Sequence, residues 1–124
     1  MATSKVVGPS EFWNKLDPQY KEIRRLASLL RERHVPHVLK MLEAYHGGRV
    51  GGQILYFGDD DPYAPNATPV ASIIETPYSG GNDRDLLEMM GLLTPEERRM
   101  DDILENLTAQ QCLERIWEHW SQEV

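Results

Sequence analysis

Residues 53–57, Gln-Ile-Leu-Tyr-Phe, and residues 70–75, Val-Ala-Ser-Ile-Ile-Glu, decide the fold class of this chain. Both runs are rich in the β-branched and aromatic side chains that favour strands. Between them, residues 59–69 hold three consecutive aspartates and three prolines, a composition typical of a solvated loop. The pattern predicts two antiparallel strands joined by an exposed loop.

The segment before these strands predicts an N-terminal helix. Asp17 and Pro18 suit the N-cap and first helical position, and Pro36 ends the helix near His34. The apolar residues in between recur at three- and four-residue spacing: Tyr20, Ile23, Leu26, Ala27 and Leu30. Residues 9–13 can form a further short helical turn.

Two other N-terminal segments carry weaker patterns. Residues 37–45 fit a helix or a strand, and we favour a strand because a glycine-rich connection and a secure strand follow. Residues 1–9 show no periodicity and are predicted to be a disordered tail, which leaves residues 10–124 as a single domain.

The C-terminal third reads as helical. Asp83 is predicted to cap a short helix that ends near Gly91, and capping boxes start at Thr94 and at Thr108. The last helix places four apolar side chains on one face: Leu113, Ile116, Trp117 and Trp120. The predicted fold is therefore α+β, with an N-terminal helix, a two- to three-stranded antiparallel meander and two to three C-terminal helices.

Composition limits the function. The net charge of −7 disfavours direct binding of nucleic acid, whose affinity for proteins comes mainly from Lys and Arg. The single cysteine, Cys112, excludes an intrachain disulfide and suits a reducing, cytoplasmic location. No signal peptide and no membrane-spanning run is recognised, so no membrane association is expected.

Two features are candidate contacts for a protein partner. Asp59, Asp60 and Asp61 form a charged hairpin tip suited to a basic protein, although an acidic surface also serves solubility alone. Trp120 lies near the end of the last helix, where it either completes the core edge or seats a partner. Trp117 is expected in the core, and a homodimer through this helix is a further hypothesis.

A glycine-rich segment offers the alternative of a small-ligand site. Backbone N–H groups at the expected helix start could hold a nucleotide or another anion. Asp83 and Asp85 would repel phosphate, however, and no P-loop lysine is present. The candidate ligand-binding residues are Tyr78, Ser79, Gly80, Gly81 and Arg84.

The residues give no support to catalysis, and we expect neither a cofactor nor a metal. Pro36 separates His34 from His37, so these imidazoles do not share a helix face that could bind a metal. Cys112 lies beside Leu113 on a helix that is expected to be packed, where thiols are inert. We therefore predict a non-enzymatic protein.

Four short motifs of the chain carry a resemblance to a known group of proteins: Tyr78–Gly81, Leu86–Thr94, Leu107–Ala109 and Glu114–Ile116. With these motifs the chain resembles small uncharacterised proteins carried by phages and integrative elements of Gram-positive bacteria, and the similarity covers roughly its last two thirds. The resemblance implies an N-terminal helix, a strand meander and C-terminal helical segments, without a catalytic residue.

Charge and resemblance together suggest an accessory protein of a mobile genetic element that acts by protein–protein interaction. Its carboxylates would occupy the basic groove of a nucleic-acid-handling or defence system of the host, in the manner of an anti-CRISPR inhibitor. The anion-binding module and the structural homodimer are the two alternatives.

Overall fold

The computed structural model describes residues 2–44, 50–77, 79, 84–100 and 103–123. A six-stranded antiparallel sheet has its strands in chain order. The strands are β1 (Ala2–Val7), β2 (Val38–Ala44), β3 (Gly51–Tyr56), β4 (Ala71–Glu75), β5 (Leu87–Gly91) and β6 (Ile103–Leu107). The helices are α1 (Pro9–Lys15), α2 (Lys21–Glu32), α3 (Pro95–Met100) and α4 (Ala109–Glu123).

The chain is α+β, but the prediction of a two- to three-stranded meander is wrong because the sheet has six strands. The helix expected to start at Asp83 is replaced by β5, whose Met89 pairs with Ile73 of β4 and Leu104 of β6. Leu and Met favour helices in isolation, but here pairing on both sides decides the conformation. Residues 2–7 form β1, where the sequence suggests a disordered tail.

Several local predictions are confirmed. Residues 38–44 form a strand, the runs after Gly51 and Val70 form β3 and β4, and residues 9–15 form α1. Both capping boxes are formed: Thr94 and Glu97 exchange hydrogen bonds, and so do Thr108 and Gln111. Helix α2 starts later than Asp17 because that side chain closes a turn by accepting a hydrogen bond from the Gln19 N–H.

Helices α1, α2 and α4 pack against one face of the sheet. Helix α1 contacts β2, while α2 contacts β3, β4 and α4. The strand register aligns one buried row across the sheet, formed by Val7, Leu39, Ile54, Ile73 and Met89. The apolar faces of α2 and α4 cover this row with Ile23, Leu26, Leu30, Leu113 and Ile116, all of which are buried.

Gly52 allows α1 to lie directly on β3. A Cβ at this position would be 2.9 Å from both the Leu16 Cδ1 and the Phe12 Cζ, which is closer than real Cβ contacts. Gly52 therefore has a packing role, since Phe12 and Leu16 fill the space that a side chain would need.

The connections divide between the two ends of the sheet. The turn from β4 to β5 lies at the end where α2 starts, because Asp85 of that turn accepts hydrogen bonds from the N–H groups of Lys21 and Glu22. The loop from β3 to β4 lies at the opposite end, since Tyr56 pairs with Ala71 at its base.

Candidate functional site

The acidic loop, residues 58–69, presents three carboxylates and one aromatic ring to solvent. Asp59, Asp60 and Asp61 are exposed, and none of them forms an ion pair within the described residues. The ring of Tyr63 is 76% exposed. The loop thus combines unpaired negative charge with an uncovered aromatic side chain, as the sequence predicts for the charge but not for Tyr63.

Local hydrogen bonds order the acidic loop. The Asp61 Oδ1 accepts from the Tyr63 N–H at 2.9 Å, which forms an Asx turn at the tip. The N–H of Val70 donates to the Tyr56 carbonyl oxygen at 2.7 Å and closes the base of the loop. The prolines at 62, 65 and 69 further restrict the backbone.

Trp117 differs from the expectation, whereas Trp120 fits the first of its two alternatives, a residue that completes the core edge. Trp117 is 42% exposed rather than part of the core, whereas Trp120 is partly buried and packs against the core. Trp120 follows the buried stripe that contains Cys112 and Ile116, while Trp117 lies at its border. The guanidinium carbon of Arg33, on the connection after α2, lies 5.5 Å from the centroid of the Trp117 ring.

The glycine-rich candidate site is only partly described. Tyr78, Gly80 and Gly81 lie outside the described residues. Ser79 is buried, and its Oγ donates to the Thr76 carbonyl and accepts from the Thr76 N–H, so the hydroxyl serves a turn. Arg84 is exposed. Asp83, where the helix of the anion-binding alternative was expected to start, also lies outside the described residues, and Leu87–Gly91, expected within that helix, form β5 instead.

Two carboxyl groups of the chain itself occupy the start of α2. Glu75 is fully buried, and its Oε1 accepts from the Ile23 N–H at 3.3 Å. Asp85 accepts hydrogen bonds from the N–H groups of Lys21 and Glu22, at 2.8 and 3.1 Å. Burial raises the pKa of Glu75 to about 9, with further contributions from hydrogen bonding and charge repulsion at Asp85. Glu75 is therefore protonated at neutral pH, and the two side chains together accept hydrogen bonds from the first three N–H groups of α2.

A cleft between α1 and α2, closed at one side by β2, was not anticipated from the sequence. We call it the α1–α2 cleft; its volume is about 360 Å³. Its apolar lining consists of Pro9, Phe12, Trp13, Ala27 and Leu39. Its polar lining consists of Ser10, Asn14, Ser28, Arg31 and His37. Its most accessible aromatic residue is Trp13, which is 52% exposed.

A second groove, of about 640 Å³, runs between α3 and α4. Arg115 binds both carboxylate oxygens of Glu97 at 2.8 Å and donates to the Leu92 carbonyl oxygen at 3.0 Å. The Arg115 guanidinium lowers the pKa of Glu97 to about 2. Deeper in the fold, the Tyr56 hydroxyl and the His119 Nδ1 are 2.7 Å apart. The Arg115 and Glu97 charges already satisfy each other, so this pair fastens α3 to α4.

The described residues offer no arrangement for metal or thiol chemistry. No group of three or more His, Cys, Asp or Glu side chains in this part of the chain could hold a metal ion. Burial raises the pKa of the Cys112 thiol to about 12, so the nucleophilic thiolate is not formed near neutral pH.

Comparisons of the chain with protein-family models, with curated proteins and with solved structures find no match. Among the helices described, none combines the length and the apolar character required to cross a membrane.

Proposed function

We propose that this chain is a non-enzymatic accessory protein of a mobile genetic element, and that it binds a basic protein through the acidic loop. The observation that supports this proposal is the combination of three exposed, unpaired carboxylates with the 76% exposed ring of Tyr63. The origin from a mobile element rests on the sequence resemblance alone.

The physical argument concerns both charge and shape. The charge of −7 steers the chain towards a positive surface, and three of the negative charges lie on consecutive exposed aspartates. Tyrosine is a frequent hot-spot residue because it buries a large rigid area with little loss of entropy. The Asx turn at Asp61 orders the tip before binding, which reduces the entropic cost of the complex.

The acidic loop suits a basic groove that normally binds nucleic acid. Such a groove is built to neutralise closely spaced phosphates, and three successive carboxylates supply a comparable density of negative charge. Occupying the groove would exclude the nucleic acid. The proposed activity is therefore competitive inhibition of a host nucleic-acid-handling or defence protein.

A pull-down of the tagged protein from host lysate at low and moderate salt tests this proposal. We expect a basic nucleic-acid-binding protein to be retained and to be lost as salt rises, because exposed charges are screened. Changing Asp59, Asp60 and Asp61 together to Asn keeps an oxygen acceptor for the Tyr63 N–H and removes three charges. Tyr63→Ala removes the aromatic anchor, and we expect either variant to reduce retention by about tenfold or more.

A matched control changes Glu96, Glu105 and Glu114 to Gln. These residues are exposed on α3, β6 and α4, so the control removes the same three negative charges without touching the acidic loop. The proposal requires the control to retain the partner. Equal loss in both triple variants, or retention by the loop variant, would show that the loop is not the contact.

A homodimer through α4 is the second candidate, and the 42% exposed ring of Trp117 is the observation that favours it. Light scattering over a range of protein concentrations tests this candidate. We expect a mass that rises towards twice that of the chain and a monomer for Trp117→Ala. A wild-type monomer at the highest concentration would rule the homodimer out.

A further inference from the structure

The α1–α2 cleft presents a rigid aromatic wall. The Arg24 guanidinium donates to the carbonyl oxygens of Trp13, Leu16 and Asp17, at 3.0, 2.6 and 3.0 Å, and so ties α2 to the end of α1. Its Cζ also lies 5.9 Å from the centroid of the Trp13 ring, which holds a half-exposed indole in place. A planar ligand would thus meet a surface that is already ordered.

Arg31 provides a positive charge about two helical turns after Arg24 on α2. It lies seven residues after Arg24 and therefore on the same side of the helix. Its side chain forms no ion pair or hydrogen bond with the described residues, in contrast to Arg24 and Arg115. An available guanidinium beside an aromatic wall suits a carboxylate, which it can bind through two parallel hydrogen bonds.

His37 adds a hydrogen-bond acceptor to the lining. Its Nδ1 lies 2.8 Å from the Val35 carbonyl oxygen, so Nδ1 must carry the proton of that bond. Burial lowers the pKa of His37, which keeps the ring neutral at neutral pH. The Nε2 of such a tautomer accepts a hydrogen bond, and a ligand hydroxyl or N–H group would supply it.

The apolar lining completes the site. Phe12 and Leu39 are buried and form part of its wall, while Ser10, Asn14 and Ser28 provide further polar groups at its border. A volume of about 360 Å³ falls at the small end of the range for small-molecule pockets. A single-ring compound with short substituents fits a space of this size.

We propose that the α1–α2 cleft binds a small aromatic carboxylate that also carries a hydroxyl or N–H donor. The ring stacks on Trp13, the carboxylate pairs with Arg31, and the donor group binds His37. This site is separate from the acidic loop, so it adds a small-ligand function to the proposed protein-binding function.

The test uses 4-hydroxyphenylacetate as the probe and the full-length chain labelled with ¹⁵N. We expect saturable shifts of the Trp13 indole N–H signal and of the backbone amides of Ser10, Asn14, Ser28 and Arg31. Arg31→Gln should weaken binding by about tenfold or more, because it removes a charge-assisted hydrogen bond. The neutral amide, 4-hydroxyphenylacetamide, should bind the wild-type chain more weakly by a similar factor.

Arg25→Gln is the matched control. Arg25 is an exposed arginine of the same helix that does not line the cleft, so this variant should bind the probe like the wild type. Arg31 is also exposed, and its substitution should leave the protein folded, as the remaining spectrum would show. Three results would overturn the proposal: no saturable shift at millimolar probe, equal affinity of Arg31→Gln and wild type, or equal affinity for acid and amide.

Discussion

Gly91 ends β5 with a φ of +94°, and a Cβ at this position would overlap the Val70 carbonyl oxygen. Both the backbone conformation and the close approach therefore require glycine. We expect Gly91→Ala to lower the free energy of unfolding by more than about 1 kcal/mol. Gly8→Ala is the control, since nothing lies near its Cβ position and its φ is negative, and it should cost less stability than Gly91→Ala. Similar losses in urea denaturation of the two variants would contradict this prediction.

The thiol of Cys112 should be unreactive in the native protein. It is completely buried in the core, and its pKa of about 12 leaves a negligible thiolate fraction at neutral pH. We expect a colourimetric disulfide reagent to react only at the rate at which the protein unfolds, and immediately in denaturant. Rapid reaction under native conditions would show that α4 opens locally.

At the scale of elements, the capping box at Thr108 should stabilise α4. The Thr108 Oγ1 accepts from the Gln111 N–H at 3.2 Å, and the Gln111 side chain accepts from the Thr108 N–H at 2.8 Å. Thr108→Ala removes one of these bonds and should cost about 1 kcal/mol in thermal or urea denaturation. Thr68→Ala, in the exposed loop, is the control and should have almost no effect; equal effects would remove the case for the cap.

The elements that were predicted correctly are those whose signals are local. A capping box needs only four residues. The composition of the runs that form β3 and β4 is itself enough to predict strands. The run that became β5 was misassigned because Leu86, Leu87, Met89 and Met90 favour a helix, while the pairing with β4 and β6 depends on distant residues. β1 was missed for the same reason, since its partner strand starts only after two helices.

The candidate sites divide in the same way. The acidic loop could be predicted, because consecutive charges and prolines favour a solvated loop whatever the tertiary fold. The α1–α2 cleft could not, because its lining comes from α1, α2 and the start of β2, and only packing brings Arg31 near Trp13. The exposure of Trp117 likewise depends on how α4 is rotated against the core.

At the scale of the whole molecule, Glu75 should make stability depend on pH. Its pKa is about 9 in the folded protein against an ordinary value of 4.5, so folding retains a proton that the unfolded chain releases. The stabilising contribution is complete below about pH 4.5 and is lost as the pH rises to about 9. The free energy of unfolding should fall across this range by at most about 1.4 kcal/mol per pH unit.

Glu75→Gln separates this effect from the rest of the protein. The amide keeps an oxygen acceptor for the Ile23 N–H and offers a permanent donor towards Asp85. The variant should lose less stability than the wild type between pH 5 and 9, as measured by urea denaturation at several pH values. Glu105→Gln, at an exposed position on β6, should follow the wild-type curve. Parallel curves for all three proteins would contradict the buried-proton explanation.

The strand order has a consequence for how the chain folds in time. A single loop joins β3 to β4, so the hairpin that these two strands form can fold early. The pairing of β1 with β2 joins Val7 to Leu39 across both N-terminal helices, and its loop-closure entropy is correspondingly larger. We therefore expect β1 to dock last on refolding and to release first, so that its amide hydrogens exchange with solvent sooner than those of β3, its counterpart at the centre of the sheet.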